Sequence, residues 1–212
     1  MISGRSGRRG RRPRTYDAVL RATSELLEHT PLSELSVAQI LAAAGVGRTS
    51  FYEHFSSKDD VVVKLMRSIS AEVGVQLEPL FERGDRSPDV AMRAGLRNVI
   101  AASARHARLI MAVAEEWPAV PELRAIWLEM LGDATSRLAE TIERERAAGV
   151  APAGADSRAL AASLLWTAER SFHVAMTGAH RTLVDQETLV EPLVQLFVGT
   201  IYGRAVVPAP SG

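Results

Sequence analysis

Cysteine is absent from this 212-residue chain, so neither a disulfide framework nor a thiolate metal site is available. No apolar run approaches the ~20 residues that cross a bilayer. The N-terminus is basic but carries no hydrophobic stretch of the kind a secretory signal needs. A cytoplasmic protein with no membrane partner is the expectation. The five histidines, His29, His54, His106, His173 and His180, show no metal-ligand spacing such as HExxH. No nucleophile elbow and no phosphate-cradling glycine loop appears. The chain is therefore expected to be no enzyme, with no catalytic residues, no metal and no cofactor.

A surplus of one charge sign is also missing: 25 Lys and Arg face 25 Asp and Glu. Taken alone, that neutrality argues against nucleic acid. Its distribution argues the other way. Residues 1–67 hold eleven basic and seven acidic side chains, a balance of +4, so the remainder carries −4. A basic front and an acidic back suit a protein with one DNA-facing domain.

What is abundant is apolar helix-forming sequence: 47% of residues are hydrophobic. No persuasive strand pattern and no internal repeat is present, so the fold is expected to be all-α. Residues 1–14 are mostly Gly, Ser, Pro and Arg and read as a disordered arm. Arg12 and Arg14 then either neutralise phosphates or sit in a solvated tail. A first helix is expected over about 15–28, and a long helix from Ser57 to about Leu77. Gly84-Asp85-Arg86-Ser87-Pro88 is a loop, with Pro88 opening the next helix. Further helices are expected over about 88–104, 107–116, 121–148 and 156–178, then 186–202. Pro192 requires that last helix either to start near Glu191 or to kink. About nine helices result, in a domain at 15–60, a larger one at 61–205 and a tail at 206–212.

Residues 36–58, SVAQILAAAGVGRTSFYEHFSSK, are the most specific stretch. Ser36 with Gln39 three residues on is a capping-box pattern. Gly45 supplies a sharp turn. The next segment puts Phe51 and Phe55 at i and i+4, facing inward. Arg48, Thr49, Ser50, Tyr52 and His54 remain as polar groups at its start and outer face. This is how a helix-turn-helix presents its reading helix to a major groove.

The same stretch resembles the signature of the TetR family of bacterial transcriptional regulators. Ala44-Gly45-Val46, Phe51-Tyr52-Glu53-His54-Phe55 and Ser57-Lys58 match it in order and spacing. Gly47 departs from the Ser or Thr common there; the helix cap survives, but a hydroxyl that would contact phosphate is lost. The resemblance implies a ligand-responsive repressor of double-stranded operator DNA. It implies that Arg48 reads a guanine edge and that Thr49 and Ser50 meet a base or phosphate. Tyr52, His54 and Lys58 would clamp phosphate, and Ser36 would donate to phosphate.

The helices after residue 156 are apolar around most of their circumference, which requires burial on two sides. A central helix in a monomer and a dimer helix both satisfy that pattern. The resemblance favours a homodimer through the last two helices, with Leu160, Leu164, Leu193, Phe197 and Ile201 at the interface and a near-palindromic operator. Trp117, Trp127 and Trp166 all fall in the second domain, accompanied by Met111 and Phe172. They suit a concave apolar site and equally an ordinary core. Glu169-Arg170 and Thr200-Ile201-Tyr202-Gly203 resemble the ethionamide-resistance branch of the family. That likeness implies an elongated apolar tunnel for a small lipophilic effector, lined by Trp127, Leu131, Leu165, Ala168, His173 and Phe197. The branch has amides where this chain has Leu165 and Ala168, so its polar anchoring of a ligand does not carry over. His173 either replaces some of that function or is a core residue. Glu169 and Arg170 either anchor a ligand or pair with neighbouring helices.

Overall fold

Prolines, glycines and capping side chains set most of the helix ends. The computed structural model describes residues 11–183 and 186–203, with side chains from Thr15 onward. Ten α-helices and no strand occur among the described residues. They are α1 Arg11–Leu27, α2 Val37–Ala44, α3 Arg48–Tyr52, α4 Lys58–Gln76, α5 Glu78–Phe81, α6 Pro88–Ala104, α7 Ala107–Glu116, α8 Pro121–Ala147, α9 Ser157–Thr177 and α10 Val190–Tyr202. Short 3-10 turns at Leu32–Glu34 and Glu187–Leu189 precede α2 and α10.

Three boundaries differ from the sequence expectation. Helix α1 begins at Arg11 rather than near Thr15. Pro13 then lies in the first turn, where its missing N–H leaves no ladder bond unmade. Arg12 and Arg14 are thus on the helix, although their side chains, residues 1–10 of the expected arm and the tail from 206 lie outside the described residues. Helix α5 was not anticipated; Pro79 cannot donate into a continuing α4 ladder, and a new four-residue helix forms around it. At α10 the start is Val190, which puts Pro192 in the first turn and removes the need for a kink.

The chain divides into two compact units, residues 1–69 with 108–127 and residues 70–107 with 128–212. The expected boundary at 60/61 falls inside α4, which is continuous; the units divide that helix at 69/70. In the first unit α1 packs on α2 and α3. Its core includes Val19, Ile40, Phe51, Val61, Val62, Met66, Val113 and Leu123, all fully buried. In the second unit α6 packs on α5 and α10, and α10 also meets α9. Phe81, Met92, Leu138, Ile142, Leu164, Leu193, Val194, Phe197 and Ile201 join one apolar cluster there. Arg93 forks onto Glu191 with bonds of 2.6 and 2.9 Å, tying α6 to α10. Arg83 forks onto Glu145 in the same way at 2.8 and 3.0 Å.

Four residues expected at a dimer interface, Leu164, Leu193, Phe197 and Ile201, are core residues within their own unit. Each is already closed off by its own unit and has little area left to give a partner. Leu160 is half-buried, while Ser163, Thr167, Arg170, Leu196 and Thr200 form the open sides of α9 and α10.

Candidate nucleic-acid interface and effector site

The helix-turn-helix is built by local chemistry. Ser36 Oγ accepts from the Gln39 N–H at 3.3 Å, and Gln39 Oε1 accepts from the Ser36 N–H at 2.8 Å, completing the capping box. Gly45 takes the left-handed conformation at φ 64° and ends α2. Gly47, in extended backbone, opens α3. Phe51 and Phe55 are fully buried and pack against each other with tilted rings, centroids 5.4 Å apart. Tyr16 from α1 covers Phe55 at 5.1 Å and meets the His54 ring edge-on at 6.1 Å. With both phenyl rings anchored inward, Arg48, Thr49 and Tyr52 are left on the exposed side of α3, and Ser50 is half-buried. The Arg48 guanidinium lies 5.6 Å from the centre of the Tyr52 ring, one turn on.

The start of α4 is fixed by its own side chains. Ser57 Oγ accepts from the Asp60 N–H at 3.0 Å, and the Asp60 carboxylate accepts from the Ser56 N–H at 2.9 Å. Lys64 adds an ion pair to Asp60 at 2.6 Å. Burial opposes the charge on Asp60, but the bonds from Lys64 and Ser56 outweigh it and hold the group below its ordinary pKa. Next to it the balance reverses. Burial, with Glu122 and Glu116 nearby, raises Asp59 against the pull of Lys58. Lys58 Nζ donates to the Leu32 carbonyl at 2.7 Å. That bond spans 26 residues, and it holds the ammonium beside α2 with donors to spare.

The residues expected around an effector divide between the units. Met111, Trp117 and Trp127 belong to the first; Leu131, Leu165, Trp166, Ala168, Glu169, Phe172, His173 and Phe197 belong to the second. Trp117 and Trp127 stack with ring centroids 6.5 Å apart. Trp127 is buried, and its Nε1–H has no hydrogen-bond partner among the described residues. On α9, Ala168 is buried in the core, while Leu165 and Phe172 are half-buried against it. The side chain of Glu169 is 10% exposed. Its Oε2 and the Nδ1 of His173 have no hydrogen-bond partner among the described residues. Arg170 stands 3.8 Å from Oε2 on a side chain 56% exposed, beyond hydrogen-bond reach. Burial pushes the Glu169 carboxyl above its ordinary value, against the opposing pull of Arg170 and His173.

Residues 19–65 match the model of bacterial regulatory proteins of the tetR family, and residues 92–203, more than half the chain, match that of the C-terminal domain of the transcriptional regulator EthR. The chain belongs to the TetR family of DNA-binding transcriptional regulators. It is not an enzyme. It is similar to the transcriptional regulator EthR of Mycobacterium tuberculosis, 27% identical over 202 residues that cover 93% of each chain. It is also similar to the transcriptional regulator AcuR of Cereibacter sphaeroides, 30% identical over 69% of each chain. Among solved structures, the regulatory protein TetR from Rhodobacter sphaeroides superposes with a TM-score of 0.60 at 26% identity, covering 91% of this chain and 99% of that one.

For this TetR-family chain, sequence reasoning missed two parts of the reading head. Tyr16 buttresses Phe55 and His54 from α1, and the Leu32 carbonyl receives Lys58. Both are contacts across tens of residues, and no local pattern announces them. The inward phenylalanines, by contrast, were signalled directly by their i, i+4 spacing.

Proposed function

We propose that this regulator is a repressor which binds a near-palindromic operator as a homodimer in the bacterial cytoplasm and leaves it when a small lipophilic effector binds. The observation that carries the reading is the outward set Arg48, Thr49 and Tyr52 on a short helix whose two aromatic anchors are fully buried. Arg48 presents a planar fork of donors suited to guanine O6 and N7. Tyr52, His54 and Lys58 would serve as phosphate donors, with Ser50, Arg12 and Arg14 as outer contacts, and with Ser36 once its hydroxyl turns from Gln39 Oε1, to which it donates here. Two such heads related by a two-fold axis would read half-sites about one DNA turn apart, ~34–36 Å. The partner would be met by the open sides of α9 and α10, around Leu160 and Leu196.

The effector must bind the form that cannot hold DNA better than the form that can, or no release follows. Helix α4 starts beside the reading head and continues into the second unit, so it is the element through which such a preference would act. Electrophoretic mobility shift on fragments upstream of the chain's own and neighbouring genes tests the reading. Arg48→Ala and Tyr52→Phe are expected to lose specific binding while remaining dimeric by light scattering. Absence of specific binding to every genomic fragment would refute it.

A further inference from the structure

Folding leaves two buried polar atoms of α9, Glu169 Oε2 and His173 Nδ1, without a hydrogen-bond partner among the described residues. Glu169 and His173 are one turn apart, so they share a side of the helix with Leu165 and Phe172. That side is distinct from the core stripe of Ala161, Leu164, Ala168 and Ala175, and from the open stripe of Ser163, Thr167 and Arg170. Elsewhere in the same unit, the buried Glu145 and the partly exposed Glu191 each receive a forked arginine, from Arg83 and from Arg93. Glu169 has no fork among the described residues, only Arg170 at 3.8 Å without a hydrogen bond. Its Oε2 is sealed, as is His173 Nδ1, and neither is hydrogen-bonded among the described residues. Buried polar atoms are ordinarily satisfied; Oε2 lacks a donor, and Nδ1 lacks one too when the His173 ring proton sits on Nε2.

We propose that Glu169 and His173 are the polar pole of the effector site and that the effector is an amphipathic amine. One N–H would go to Glu169 Oε2 and a second to His173 Nδ1 in its Nε2–H tautomer. The apolar body would lie along Leu165 and Phe172. An alcohol offers a single donor and no charge. A carboxylic acid brings a second carboxyl to a buried one. Neither satisfies both acceptors. This assignment rests on reading the second unit as the effector-binding part.

The test is isothermal titration of the full chain with 4-phenylbutylamine, 4-phenylbutanol and 4-phenylbutanoate, with operator binding followed by fluorescence anisotropy in the same preparation. The amine is expected to bind at least about tenfold more tightly than either analogue. Glu169→Gln should abolish that preference. His173→Phe, which keeps an aromatic ring and removes the acceptor, should reduce it severalfold. Arg170→Gln, on the exposed side, should not reduce it. Equal affinity for the alcohol, survival of the preference in Glu169→Gln, or no binding of the amine overturns the proposal. The two readings fail separately. Amine binding that leaves operator affinity unchanged keeps the pole and removes effector release. Operator binding without any amine preference removes the pole and leaves the DNA-binding regulator.

Discussion

Glu145 and Glu169 are both carboxylates that folding draws out of water, and they end in opposite states. Glu145 is buried and doubly bonded by Arg83. Removing one partner of such a pair strands the other, so Arg83→Ala is expected to cost about 3 kcal/mol, read as a lowered urea midpoint at unchanged m-value. Glu169 is drawn in with no hydrogen-bond partner for Oε2 among the described residues, and its pKa is raised above the ordinary 4.5. A carboxyl with a raised folded-state pKa binds more protons folded than unfolded. Its contribution to stability therefore falls as pH rises from about 4.5 through the raised value, and the full penalty is present above it. Glu169→Gln is expected to raise the melting temperature at pH 7.5 and to leave it unchanged near pH 4. An equal shift at both values would mean that the charge is not the cause. A substitution that stabilises the empty protein while removing ligand affinity is the usual signature of a functional group held at a cost.

At the scale of elements, three helix glycines separate packing from propensity. A Cβ at Gly95 on α6 would collide with the Leu80 side chain on α5 and approach its backbone nitrogen to 3.3 Å. The ~1 kcal/mol gained in helix propensity is then outweighed by overpacking of roughly 1–3 kcal/mol. Gly74 on α4 and Gly132 on α8 have nothing within 4 Å of the same position. Thermal melts should show Gly95→Ala destabilised, and Gly74→Ala and Gly132→Ala stabilised by up to about 1 kcal/mol. Losing the capping box by Ser36→Ala should cost about 1 kcal/mol. These elements also mark what the sequence makes legible. The box at Ser36, the left-handed Gly45, the Pro88 start and the inward Phe51 and Phe55 are signals contained within a few residues, and each forms as read. Helix α5 was hidden because four residues are too few to show a period. The burial of Leu193, Phe197 and Ile201 within their own unit was hidden for a related reason. Apolar residues all round a helix report how much of it is covered, not whether the cover is the same chain or another. The unbonded Oε2 of Glu169 had no sequence signature at all, since an Arg follows it directly and only the fold shows that Arg170 stops at 3.8 Å, close enough to attract but not to hydrogen-bond.

At the scale of the molecule, the unit that carries the reading head is discontinuous, taking residues 108–127 as well as the first 69. Val113, Leu123 and Ile126 contribute buried side chains to it, and Glu116 and Glu122 act on Asp59 at the start of α4. A fragment ending at residue 76 therefore lacks part of its own core. It is expected to show reduced helicity by circular dichroism, and operator affinity weaker by more than the loss of dimerisation alone accounts for. The stacked Trp117 and Trp127 belong to this same unit, whereas Trp166 belongs to the other. Two near-parallel indoles at 6.5 Å couple their excited states, so the pair has an optical signature that a lone Trp166 cannot imitate. The protein thus carries an internal label on its DNA-reading half, and loss of that coupling in the near-ultraviolet would register a change there without any dye attached.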